Sequence, residues 1–101
     1  MSKYHVLPGI ADSKLVSLEQ VGAKGFFLRH QKYVVFLHER PKNENGVYDA
    51  DASFKLVRDG DKVRFEAGNR PGMFLAVRED GVVILARDPD PAKSTFLSKK
   101  D

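Results

Sequence analysis

The stretch Val16–His30, VSLEQVGAKGFFLRH, aligns without a gap on Val63–Val77, VRFEAGNRPGMFLAV, and this pairing decides how the chain is organised. Val16 meets Val63, Glu19 meets Glu66, Gly25 meets Gly72, Phe27 meets Phe74 and Leu28 meets Leu75, at a constant offset of 47 residues. The likeness continues one residue out of step, YVVFL at Tyr33–Leu37 over GVVIL at Gly81–Leu85. Each copy then reaches a small-polar-Phe close, ASF at Ala52–Phe54 and STF at Ser94–Phe96. A period in the forties marks repeated supersecondary units that share one core. The opening YHVLPGIAD reads as the closing strand of a unit whose first part is absent.

Short runs rich in Val, Phe, Leu and Ile, separated by Gly, Pro, Asp and Asn, predict strands at Tyr4–Leu7, Leu15–Val21, Phe26–His30, Tyr33–Leu37, Phe54–Arg58, Lys62–Ala67, Met73–Val77, Val82–Arg87 and Thr95–Ser98. Asp80 and Gly81 between two apolar runs give the tight-hairpin signal, and the two Pro-Gly pairs read as turns. Helix signals are almost absent, so the fold is all-β and built of hairpins.

The composition bounds the function. At 101 residues the chain is one domain, 42% hydrophobic and 31% charged, able to bury roughly two thirds of the surface its unfolded form exposes. No run approaches the ~20 apolar residues that cross a bilayer, so no membrane partner is expected. The start MSKYHVLPGIADSK lacks a continuous apolar segment, so a signal peptide is either not used or already removed, and the location stays open. With no Cys there are no disulfides, thiolate metal sites or thiol nucleophiles. The net charge is +3, but Lys and Arg are scattered among acids without a basic stripe and interleaved exposed aromatics, so no nucleic-acid partner is expected.

His30 has two readings. Phe26, Leu28 and His30 share one strand face, as Met73, Leu75 and Val77 do in the second copy, which makes His30 the last member of a core-facing row, satisfied by a carbonyl or by Asp51. Alternatively the row ends at a rim, where an imidazole N–H and a carboxylate together grip vicinal hydroxyls. No metal site is expected: His38 lies at the far end of the hairpin from His30, His5 stands alone, and Asp49–Asp51 and Asp88–Asp90 do not continue into a calcium-loop pattern. Asp88–Pro91 reads as a rigid turn. His38–Asp51 reads as a long loop with an Asn45-Gly46 turn, either a solvated insertion or a functional loop that brings Tyr48 against a sugar face. Glu19 and Glu66 resemble a glycosidase carboxyl pair, but their equal places in two copies argue for a shared structural hydrogen bond. No P-loop, Gly-x-Gly-x-x-Gly or Gly-x-Ser-x-Gly occurs, so neither catalysis nor a cofactor is expected.

VLPGIAD leading into VSLEQ, then GFFLRH, then DASF at Asp51–Phe54, resemble the arabinofuranosidase B C-terminal domain, carbohydrate-binding module family 42, over nearly the whole chain. The resemblance implies a β-trefoil-like fold with about two of three lobes: a leading strand 1–14, a lobe 15–60 and a lobe 61–101. It also implies a sugar pocket that uses His30 and Asp51. The second lobe has Val77 and Lys93 at those places, so one lobe carries the site. The expected function is a non-catalytic carbohydrate-binding module for arabinofuranosyl side chains, with Tyr33 or Tyr48 as ring platform; the absence of Trp fits a small pocket. The family is usually secreted. The rival expectation is a scaffold or interaction domain that has lost its sugar. Two lobes of three would leave open strand edges, to be covered by self-association of the chain or by its own leading strand.

Overall fold

The computed structural model describes residues 3–42 and 46–97. Nine strands occur among them: β1 Tyr4–Pro8, β2 Val16–Gln20, β3 Phe26–Gln31, β4 Val34–Glu39, β5 Phe54–Asp59, β6 Lys62–Ala67, β7 Met73–Val77, β8 Val83–Arg87 and β9 Phe96–Leu97. Each matches an expected strand to within two residues; the predicted end of the last, Ser98, lies outside the described residues. Two short helices were not foreseen, α1 Val47–Asp51 and α2 Pro91–Ser94. The first replaces the end of the expected long loop, whose Asn45 turn position lies outside the described residues. The second begins inside the expected Asp88–Pro91 turn, where the Asp90 carboxylate accepts the Ala92 amide at 3.0 Å and Pro91 takes the first helical position.

The fold is all-β, but it is not the expected β-trefoil. The strands close into a seven-strand antiparallel barrel, β2-β3-β4-β8-β7-β6-β5 and back to β2. The ring closes at two single pairings: Val34 of β4 with Ile84 of β8, between the copies, and Val16 of β2 with Phe54 of β5, within the first copy. Unpaired edge amides and carbonyls are costly, and strand edges meet one another at these two pairings and along β5-β6, where the copies adjoin. The open edges on which self-association was inferred are therefore absent from the ring, and that ground for it falls away. β1 lies outside the ring along the other edge of β2, Tyr4 opposite Gln20 and Pro8 opposite Val16.

The internal repeat is written in the pairing. Glu19 opposes Phe27 as Glu66 opposes Phe74. Val16 opposes Phe54 as Val63 opposes Phe96. β5 flanks β6 as β1 flanks β2. One interior serves both copies: Leu18, Val35, Phe54, Val63, Phe65, Ala67, Leu75 and Leu85 form a buried cluster, with Leu28 packed against it. Leu28 and Leu75 thus have like surroundings. The alternation of β3 turns its other side, with Phe27, outward, where Tyr48 and Ala52 of the α1 segment cover it as a second buried cluster.

Candidate functional site

The site is built where the interior row of β3 ends. His30 is 4% exposed, and its Nε2 lies 2.7 Å from Asn69 Oδ1 and 3.6 Å from Asp51 Oδ1. The Asn69 amide donates to Asp51 Oδ1 at 2.8 Å, and Arg29 Nη2 donates to Asp51 Oδ2 at 2.7 Å. A carboxylate only accepts, so the amide nitrogen of Asn69 faces Asp51 and its oxygen faces His30. That orientation puts a hydrogen on His30 Nε2. Four side chains from three segments thus form one chain of hydrogen bonds: Arg29, Asp51, Asn69, His30.

Asp51 reaches this place because α1 is fastened to the barrel. The wholly buried Ser17 hydroxyl donates to the Ala52 carbonyl at 2.7 Å, and the wholly buried Ser53 hydroxyl donates to the Asp49 carbonyl at 2.8 Å while accepting the Ala11 amide. Arg40 clamps Asp49 through Nε at 2.9 Å and Nη2 at 2.6 Å. Arg29 and Asp51 are 13% and 14% exposed, so their ion pair is largely shielded from water and stronger than a surface pair. The Arg29 guanidinium also lies 5.3 Å from the centre of the Tyr48 ring, within range of a cation–π contact. Its Nε is buried without a hydrogen-bond partner.

His30 and Asp51 are brought together, and the two tyrosines are separated. Tyr48 is 5% exposed; its ring fills the cluster under α1 and its hydroxyl donates to the His38 carbonyl at 2.6 Å. Burial pushes its phenol above the usual tyrosine range. The ring is therefore part of the packing and has no open face for a sugar. Tyr33 is 54% exposed at the tip of the β3-β4 hairpin. Its φ of 67° and the 52° of Lys32 make a two-residue turn with both residues left-handed, a conformation that non-glycine residues adopt at a cost. The Tyr33 carbonyl accepts the Leu85 amide at 3.0 Å, which fixes this tip to β8.

Two members of this network, Arg29 and Asn69, were not singled out from the sequence, nor was the exposed ring of Phe36. Arg29 was visible only as a letter in the motif. Asn69, 39 residues from His30, carries no local signal. Phe36, directly opposite Arg29 across the hairpin, presents a ring 39% exposed that stacks on His38 with centroids 5.1 Å apart. Its signal was the alternation of β4, which puts Phe36 and His38 on the outer side.

Glu19 and Glu66 are each committed to a backbone amide, that of Gly25 at 2.9 Å and that of Gly72 at 2.7 Å. Both glycines have positive φ, 88° and 86°, so the residue type and the acceptor recur together. No group of three His, Cys, Asp or Glu that could hold a metal occurs among the described residues. In the second copy, Val77 and Lys93 line an open groove of about 540 Å³ with Ala76, Ile84 and Ala86.

A family model described as alpha-L-arabinofuranosidase B (ABFB) domain matches residues 1–99. No curated protein matches the chain. Among solved structures, a mutant GH54 α-L-arabinofuranosidase soaked with 4-nitrophenyl α-L-arabinofuranoside is similar at 22% identity and a TM-score of 0.73, over 85% of this chain and 18% of that one. The same enzyme type soaked with a cyclic sulfate inhibitor, and an arabinofuranosidase complexed with arabinofuranosyl-α-1,2-xylobiose, are each similar at 22% identity and a TM-score of 0.74, with the same coverage. At this identity the likeness is one of fold. The chain spans less than a fifth of the length of these structures.

Proposed function

The chain belongs to the alpha-L-arabinofuranosidase B domain family, and from that premise we propose that it is a non-catalytic carbohydrate-binding module for arabinofuranosyl side chains, with His30 and Asp51 as its anchors. The observation that carries this reading is the meeting of an imidazole N–H and a carboxylate 3.6 Å apart at the edge of the barrel interior. An N–H donor and a carboxylate acceptor side by side complement sugar hydroxyls, which both accept and donate. Arg29 orients the carboxylate through its hydrogen bond to Oδ2, and Tyr48 supports α1 from beneath. Phe36 and Tyr33 are the exposed rings nearest in sequence to the anchors, and Phe36 is the better platform because it stands opposite Arg29. Glu19 and Glu66, each accepting a backbone amide, serve the fold and leave no free carboxyl pair of that kind for glycoside hydrolysis.

Calorimetric titration with an arabinose-substituted xylo-oligosaccharide tests the reading. Heat with the native protein, lost in Asp51→Asn and in His30→Val, supports it; the absence of heat, or affinity unchanged by both substitutions, counts against it. A second reading, a scaffold domain that has lost its sugar, is favoured by one observation: His30 Nε2 and both Asp51 oxygens are already partnered within the chain. Silence toward glycans together with a stable protein partner in pull-down would favour it.

A further inference from the structure

The gap between His30 Nε2 and Asp51 Oδ1 is too wide for a good direct hydrogen bond, and Asn69 spans it. Whatever sits there must accept from the imidazole and donate to the carboxylate. The carboxamide does so with two atoms; an alcohol does so with one. We propose, resting on the sugar-binding reading above, that the Asn69 side chain is a built-in stand-in for a sugar hydroxyl, which an incoming glycan displaces.

Three observations carry this. Asn69 comes from the β6-β7 turn of the second copy, whereas both anchors come from the first, so the bridge is a contact between halves. The turn itself does not require it, since the equivalent residue in the first copy is Gly22, which has no side chain. The backbone beside it is pinned: the Gly68 amide donates to the Ser53 carbonyl at 3.0 Å, and a Cβ on Gly68 would stand 2.7 Å from Leu15 Cδ1. The turn therefore stays in place while the half-buried Asn69 side chain rotates about its own bonds. Rotation gives the amide to water and frees a donor and an acceptor, side by side, for glycan hydroxyls. Because a ligand binds only the rotated state, its apparent affinity falls by the fraction of time that state is populated.

The test is titration of an α-L-arabinofuranosyl-substituted xylo-oligosaccharide into the full chain and its Asn69→Ala variant, with thermal melts alongside. The stand-in role predicts affinity about tenfold tighter in Asn69→Ala, since two hydrogen bonds no longer compete. Equal or weaker affinity in a folded Asn69→Ala overturns it and leaves the sugar-binding reading intact. Binding by neither protein overturns both. Should the variant not fold, the side-chain amide resonances of Asn69 in the native protein decide: at saturating glycan they shift to free-amide positions under this mechanism, and unmoved resonances overturn it.

Discussion

Glu66 repeats, 47 residues along the chain, the hydrogen bond that Glu19 makes: each carboxylate accepts the amide of the glycine six residues on, at 2.7 Å and 2.9 Å. A hydrogen bond to a charged acceptor contributes roughly 1.5–3 kcal/mol. Glu19→Ala and Glu66→Ala should therefore each lower unfolding free energy by about 2 kcal/mol in urea titration, and by similar amounts. The Gln variants keep an acceptor and should lose under ~1 kcal/mol. A large inequality between the two sites would contradict the equivalence of the copies.

Closure of the ring rests on a small number of residues. Phe54 is fully buried and stands opposite Val16 at one seam and Ala67 at the β5-β6 pairing. Phe54→Ala should cost about 3–5 kcal/mol, near the whole stability of a small domain, and read out as a collapse of the melting temperature.

The raised phenol of Tyr48 has a sign that can be measured. A pKa above the unfolded value favours the neutral form in the folded state, so its contribution is fully present below about pH 10 and is lost as pH rises through the folded pKa. Stability measured from pH 8 upward should fall more steeply in the native protein than in Tyr48→Phe. The variant should also be less stable at neutral pH by about 1 kcal/mol, for the lost bond to the His38 carbonyl.

Phe36 is exposed enough that its removal should barely move the melting temperature. If it is the wall of the sugar site, Phe36→Ala should weaken glycan affinity about fivefold while Phe36→Trp preserves it. Equal affinities in all three proteins would remove the ring from the site.

Much of the fold was legible in local signals. The nine strands follow from two-residue alternation and turn chemistry, and Gln31 and Val34 close a hairpin over two residues. The repeat was legible because Glu19 and Glu66, Gly25 and Gly72 each preserve one hydrogen bond. The helix α1 was hidden, because five residues offer too little helical period to register, and its end is secured by Ser17 and Ser53 from outside. Tyr48 looked like a surface ring for the same reason: nothing within its own segment says that Phe27 will lie against it.

By itself the sequence determined the strands, the two copies and the His30 and Asp51 motif, all properties of neighbouring residues and their spacing. Only the tertiary structure decided that Val16–Phe54 and Val34–Ile84 pair to close a seven-strand barrel in place of a trefoil, and that Asn69 lies between His30 and Asp51. Those outcomes depend on which edges and which side chains remain unsatisfied once the hairpins have packed, and that balance is struck between residues far apart in the chain.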